Sequence, residues 1–145
     1  MQLKTLALAA VTVTMGAAAL AHADVENPVV KERMDLMGDI RASFATLGGM
    51  VQGKTAFDAE AAADAKATLE ASAAMIPTKF EANEMDPESE AAPAIWEDWD
   101  GFTTIASEMQ TAVAALDTGS LEGVQAGFRP IGAACGACHQ GYRVD

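Results

Sequence analysis

The stretch Cys135-Gly136-Ala137-Cys138-His139 lies close to the carboxyl end of the 145-residue chain. Two cysteines three residues apart, followed directly by a histidine, form the pattern that binds haem c through two thioether bonds and one axial imidazole. On an α-helix the three side chains fall within an arc of about 100° and face one side. A single helical turn would therefore hold the macrocycle at two points and bind its iron at a third.

Three other uses of the cysteines fit the sequence less well. A thioredoxin-like redox pair needs a βαβ setting, and no alternation of strands with helices is visible. A structural zinc ion needs four protein ligands, but the chain has two cysteines and two histidines, and His22 falls in the segment discussed next. A disulfide between Cys135 and Cys138 would close a very small loop and gain little from loop entropy. The sequence therefore predicts covalent haem.

Residues 1–23 have the pattern of a secretory signal peptide. Lys4 precedes an apolar run from Leu6 to Leu20, and Ala21-His22-Ala23 is an A-x-A cleavage site. The apolar run, about 15 residues, is short for a bilayer span, which makes a retained membrane anchor the less favoured alternative. We expect residues 24–145 to form one domain in the periplasm, with no membrane span after cleavage.

The composition is strongly acidic, with 21 Asp and Glu against 9 Lys and Arg and a formal net charge of −12. Cleavage of the signal removes Lys4 and none of the acidic residues. Such a surface repels nucleic acid and anionic lipid, so we expect neither as a partner. Apolar residues make up 50% of the chain, and many of them are alanine, which suits closely packed helices.

The first half of the mature chain contains two helical patterns. The first helix is expected from Asn27, as N-cap, to about Leu47, before Gly48-Gly49. The second is expected from near Asp58 to Met75 or Ile76, before Pro77, with Thr55-x-x-Asp58 as a candidate capping box. The first helix carries a continuous apolar stripe: Val30, Met34, Met37, Ile40, Phe44, Leu47 and Val51.

Residues 77–93 contain prolines and acids and are predicted as a connection with at most one short turn, near 79–82. The third helix is expected from Pro93 to about Asp117, and the fourth from Ser120 to the carboxyl end. Pro130 predicts a kink in the fourth helix or a start delayed past it.

The third helix is expected to bury Trp96, Trp99, Phe102, Ile105 or Ala106, Met109, Val113 and Leu116. The inward face of the fourth is expected to carry Val124, Phe128, Ile131, Cys135, Cys138, His139 and Tyr142. The fold class predicted is all-α, an antiparallel four-helix bundle with the haem among its helices.

With these pieces in place, the chain resembles the cytochrome c′ family, the class II c-type cytochromes. The resemblance rests on Arg33-Met34-Asp35-Leu36-Met37 in the first helix, on Pro93-x-Ile95-Trp96, and on the carboxyl motif from Cys135 to Arg143. It spans essentially all of residues 24–145. The family is exported and four-helical, which agrees with the expectations above.

The resemblance implies a role for individual positions around the iron. Cys135 and Cys138 correspond to the thioether cysteines, and His139 corresponds to the proximal iron ligand. Arg143 corresponds to the basic residue beside the proximal imidazole. Met37 corresponds to the bulky apolar residue over the open face of the iron.

The resemblance also implies contacts at the haem periphery. Arg33 and Met34 match residues that lie against the haem and its propionates, Glu90 matches a haem-edge contact, and Phe80 is expected to join the wall formed by Met37. Each position also has a plainer interpretation. Arg33 would then be a surface arginine with its apolar stem packed down, the methionines would be core residues, and Glu90 a solvated acid.

The sixth iron ligand decides the function. After signal removal His139 is the only histidine, so coordination by two histidines within one chain is impossible. The resemblance implies a five-coordinate iron that binds nitric oxide and carbon monoxide and takes part in one-electron transfer with a redox partner still to be identified. The alternative is a low-spin electron carrier with Met37 or Met34 as sixth ligand. We expect no enzyme, because peroxidase chemistry usually needs a distal histidine. A homodimer through the first two helices is also implied.

Overall fold

The computed structural model describes residues 25–144, so the signal-peptide prediction, which includes His22, lies outside the described residues. The helices are α1 (Pro28–Val51), α2 (Ala59–Phe80), α3 (Ala94–Glu97), α4 (Trp99–Ala114) and α5 (Leu121–Tyr142). Both α1 and α4 pack against α2 and α5, and α3 is one turn before α4. The four long helices form an antiparallel bundle, which confirms the predicted fold class.

The start of α1 is as predicted, but its end is not. The Asn27 side chain accepts hydrogen bonds from the backbone N–H of Val29 at 2.9 Å and of Val30 at 3.3 Å. The helix continues past Leu47 to Val51, and Gly48 lies inside it, opposite Phe128 of α5. A Cβ at Gly48 would stand 3.2 Å from the Phe128 ring of α5, so the glycine permits the close approach and does not end α1.

The predicted end of α2 before Pro77 is wrong, because the helix continues to Phe80. Pro77 has no N–H to give to the carbonyl of Ala73, four residues earlier. The Gln110 side chain of α4 donates to that carbonyl at 3.2 Å and satisfies the acceptor that the proline leaves free. At its start, α2 is capped by the side chain of Asp58, which accepts from the N–H of Glu60 at 2.9 Å.

The predicted third helix is broken into α3 and α4 at Asp98, whose backbone leaves the helical region at φ −129° and ψ 58°. Asp98 then caps α4, since its side chain accepts from the N–H of Gly101 at 3.2 Å. Trp96 and Trp99, which we expected to be buried, are only partly buried, whereas Ile95 is 1% exposed. The other core residues expected of the third helix are buried: Phe102, Ala106, Met109 and Val113 of α4, and Leu116 just after it.

Helix α5 begins at Leu121 behind the predicted cap, with the Ser120 hydroxyl accepting from the N–H of Gly123 at 3.0 Å. Pro130 lies inside α5, so a start delayed past it is wrong. Val124 and Ile131 are fully buried, as expected for the inward face. Phe128 is partly buried and stacks on Phe44 of α1, with ring centroids 4.2 Å apart, which joins the first and last helices of the bundle.

Candidate haem-binding site

The last turns of α5 bring the three residues of the carboxyl motif together. Cys135 and Cys138 are free and half-buried, and His139 follows in the same helix. Because positions i, i+3 and i+4 share a helix face, two thiols and one imidazole are offered on one side of α5. His139 is exposed, although we expected an inward side chain. Both cysteines are partly buried against the core, as predicted.

The environment of the thiols keeps them neutral. Burial raises the pKa of the Cys135 thiol. Burial, with a smaller contribution from nearby Cys135, raises the pKa of Cys138 to about 11. Among residues 25–144, no group of three or more His, Cys, Asp or Glu side chains is placed to bind a metal ion.

The environment of His139 favours the neutral imidazole, which is the form that binds iron. Although His139 is exposed, desolvation by neighbouring protein atoms lowers its pKa, and the positive charge of Arg143 lowers it further, while the negative charge of Glu90 acts in the opposite direction. Arg143 and Glu90 form an ion pair, with Nε and Oε2 2.8 Å apart. Two residues that the resemblance assigns to the haem surroundings are therefore both close enough to influence His139.

Aromatic side chains line the neighbouring part of the bundle. Phe102 is 2% exposed and contacts the rings of Phe80, Trp99 and Tyr142, at centroid distances of 5.4, 5.5 and 5.4 Å. Phe80, predicted as part of the haem wall, is 7% exposed and belongs to this aromatic cluster. A large apolar macrocycle needs such surroundings. The donor set and its aromatic neighbours therefore fit haem c, with Cys135 and Cys138 to hold it.

Arg33, which we expected to contact a haem propionate, donates hydrogen bonds to backbone carbonyls of the protein. Its Nε donates to the carbonyl of Lys79 at 2.9 Å and its Nη1 to that of Glu84 at 2.8 Å, while Nη2 donates to the carbonyl of Ala82. The guanidinium also lies 5.4 Å from the Phe80 ring centroid, and Arg33 is 2% exposed. A guanidinium has five N–H donors, and these contacts use three of them. The propionate contact stays a prediction, and the surface-arginine alternative is wrong.

Met34 and Met37 lie one turn apart on α1 and are both partly buried. Met37 packs against the hydrophobic core. The assignments of Met34, Met37 and Glu90 to the haem surroundings remain predictions. Glu90 itself is exposed, with 64% of its side chain accessible.

Sequence reasoning missed Asp98 and the indole of Trp96. The Trp96 Nε1–H donates to the carbonyl of Phe80 at 2.8 Å, and the Tyr142 hydroxyl donates to Asp98 Oδ2 at 2.8 Å. Asp98-x-x-Gly101 carries a helix-cap signal that would have indicated a break here. The hydroxyl contact has no local signal, since 44 residues separate its partners.

A shallow groove of about 530 Å³ is lined by residues of α4 and α5. It runs between α4 and α5 around Pro130, and small and hydroxyl-bearing side chains such as Ser107, Thr111 and Ala112 line it. None of the predicted site residues borders it. Within the described part of the chain, no helix is both long enough and apolar enough to cross a bilayer.

Comparisons with known proteins agree on one family. The family model described as cytochrome C′ matches residues 28–143. A cytochrome c-554 of Cereibacter sphaeroides is 37% identical over 122 residues, which cover 79% of this chain and 92% of that protein. A cytochrome c-556 of Agrobacterium tumefaciens is 36% identical over 118 residues, covering 79% of this chain and 96% of that protein.

Solved structures agree as well. The cytochrome c′ of Rubrivivax gelatinosus superposes with a TM-score of 0.72 at 28% identity, covering 83% of this chain and 98% of that one. A mutant of the cytochrome c prime of Alcaligenes xylosoxidans, solved as its nitric oxide complex, gives a TM-score of 0.68 at 28% identity and covers 81% of this chain and 94% of that one.

Proposed function

The chain belongs to the cytochrome c′ family of c-type haem proteins, and on that premise we propose that it is a periplasmic protein that binds nitric oxide and carbon monoxide. Cys135 and Cys138 carry the haem through thioether bonds, and His139 is the proximal ligand. The bound haem supplies an iron that exchanges one electron and has a free coordination position. The protein is a ligand-binding and electron-transfer protein and not an enzyme.

The observation that carries this proposal is the set of donors available to the iron. His139 is the only histidine in residues 25–144, and Met34 and Met37 of α1 offer only thioether and hydrocarbon. A pocket without a hydrogen-bond donor does not give bound dioxygen the polar stabilisation that oxygen carriers use. Nitric oxide and carbon monoxide are then favoured over dioxygen as ligands of the iron. The nitric oxide complex of the Alcaligenes xylosoxidans relative supports the same choice.

Anaerobic absorption spectra of the ferric, ferrous, nitrosyl and carbonyl forms test the proposal. We expect a high-spin ferrous protein that binds both gases and that does not form a stable complex with dioxygen. Tight dioxygen binding by the ferrous protein would contradict the proposal. Loss of the pigment from purified, exported protein after denaturation would contradict covalent attachment through the two cysteines.

A low-spin electron carrier is the second candidate, and the sequence comparison favours keeping it. The relatives at 37% and 36% identity are called cytochrome c-554 and cytochrome c-556, whereas other relatives are called cytochrome c′. In this candidate Met37 or Met34 is the sixth iron ligand. A far-red charge-transfer band in the ferric protein that is abolished in Met37→Ala or Met34→Ala, but not in both, would identify that ligand. Absence of the band would favour the five-coordinate protein.

Export follows from residues 1–23, and we propose cleavage after Ala23. Mass spectrometry of the mature protein from the periplasmic fraction, with one haem per chain, tests both points.

A homodimer through α1 and α2 is part of the same proposal. The exposed face of α2 is rich in alanine and carries Met75, which is 40% exposed, so a second copy can approach closely. Sedimentation equilibrium of the native protein beside Met75→Glu tests the dimer.

A further inference from the structure

The last turn of α5 is tied to α4 by one side chain. Tyr142 lies three residues after His139, and its hydroxyl donates to Asp98 Oδ2 at 2.8 Å. The Tyr142 and Phe102 rings meet edge to face, with centroids 5.4 Å apart and planes at 85°. The Tyr142 side chain is therefore held both at its hydroxyl and through its ring.

The two carboxylate oxygens of Asp98 accept different hydrogen bonds. One oxygen caps α4 by accepting from the N–H of Gly101 at 3.2 Å, and the other receives the Tyr142 hydroxyl at 2.8 Å. A Cβ at Gly101 would overlap both the Asp98 carboxylate and the Tyr142 hydroxyl. A glycine at this position therefore leaves the room that the contact needs.

The backbone after α5 is held as well. The N–H of Ala92 donates to the carbonyl of Tyr142 at 3.0 Å, and the N–H of Val144 donates to the carbonyl of Glu90 at 2.9 Å. These bonds flank an isolated antiparallel bridge between Ala91 and Arg143. The end of α5 thus has backbone partners where helix ends commonly fray.

We propose that the Tyr142–Asp98 pair is a positioning device for the axial ligand, and that it fixes the direction of the His139 imidazole by holding the final turn of α5 against α4. The thioether cysteines precede His139, so residues 139–142 of α5 lie beyond the second covalent anchor. Partners outside the ligand set commonly orient a metal-binding histidine. Tyr142 and Asp98 act here through the helix and not through direct contact with the ring. The inference rests on the proposed role of His139 as proximal ligand.

The test uses the ferric holoprotein with Tyr142→Phe, which removes the hydroxyl but keeps the ring on Phe102. The shifts of the four haem methyl protons in NMR depend on the direction of the axial imidazole. We expect their spread to change, and amide hydrogen exchange over residues 139–144 to accelerate about three- to tenfold, as expected for the loss of one hydrogen bond. Asp98→Ser keeps a helix cap for α4 and should reproduce both effects.

Gln110→Leu is the matched control, because it removes another hydrogen bond between helices, the 3.2 Å contact with the Ala73 carbonyl, away from α5. It should leave the haem methyl shifts unchanged even where it lowers the thermal midpoint. The double variant of Tyr142→Phe with Asp98→Ser should show no larger change than either single variant. Unchanged methyl shifts in Tyr142→Phe, with His139 bound to iron, would overturn the inference alone. A wild-type protein without imidazole ligation would overturn the proposed function and, with it, this inference.

Discussion

Arg33 donates from Nε to the backbone carbonyl of Lys79 at 2.9 Å, so that a side chain of α1 holds the carboxyl end of α2. The last carbonyls of a helix have no hydrogen-bond donor within the helix. Arg33 supplies a donor to one of them and also donates to the carbonyls of Ala82 and Glu84, which follow α2. Its guanidinium lies between two rings, 5.4 Å from Phe80 and 5.2 Å from Trp96. Burial lowers the pKa of Arg33, although the side chain stays charged.

Replacing Arg33 should therefore destabilise the fold. Arg33→Met keeps much of the apolar stem and leaves three carbonyls without their donors, for which we expect a loss of about 2–4 kcal/mol in the free energy of unfolding. Arg33→Lys should recover only part of it, because a single ammonium group cannot reach all three carbonyls in the fork geometry. Denaturant unfolding of the holoprotein measures both variants. Arg41→Met, at an exposed position of the same helix, is the control and should change stability by less than about 0.5 kcal/mol.

Asp86 predicts a pH dependence of stability near the start of α1. Its carboxylate accepts from the N–H groups of Glu26 at 3.1 Å, Asn27 at 3.0 Å and Glu88 at 3.0 Å. These backbone hydrogen bonds, led by that from Glu88, lower the pKa of Asp86 below its ordinary value of 3.8. A lowered pKa in the folded state adds stability above pH 3.8, and that stability is lost as the pH falls through the folded-state pKa.

Asp86→Asn should accordingly unfold at a lower temperature than the wild type at neutral pH, and the difference should shrink toward acid pH. Thermal melts of the two proteins in parallel over the range from neutral pH to about pH 2 measure this. Asp39→Asn, at an exposed aspartate within α1, provides a control for the change in net charge. A difference between wild type and Asp86→Asn that stays constant with pH would contradict the assignment.

Local signals were sufficient for the starts of α1 and α5 and for the cysteine motif. The caps at Asn27 and Ser120, and the face shared by Cys135 and Cys138, depend only on residues within one turn. The course of α2 through Pro77 could not be predicted in this way, because the donor that satisfies the free carbonyl lies 37 residues beyond its acceptor. The same holds for the site. The resemblance implied a propionate contact for Arg33, but only the assembled bundle brings three backbone carbonyls to it.

Pro130 should make the folded protein less stable than it would be with alanine at the same position. It is exposed within α5, and it has no N–H for the carbonyl of Ala126. Pro130→Ala should raise the free energy of unfolding by about 1–3 kcal/mol. Pro77→Ala is the matched comparison, and its gain should be smaller because Gln110 already donates to the carbonyl that Pro77 leaves free. Equal gains in the two variants, measured by denaturant unfolding, would contradict this account of α2.

Gly101→Ala should destabilise the protein, although glycine to alanine within a helix ordinarily stabilises it by about 0.5–1 kcal/mol. The new methyl group would overlap the Asp98 carboxylate and the Tyr142 hydroxyl, so one of them must move away. We expect a net loss of about 1–3 kcal/mol, measured by thermal and denaturant unfolding of the holoprotein. Gly38→Ala is the control within α1, since its Cβ would meet no atom within 4 Å, and it should stabilise. A stabilised Gly101→Ala would show that the tyrosine and the aspartate can part without cost, because the helix would then gain the usual benefit of alanine.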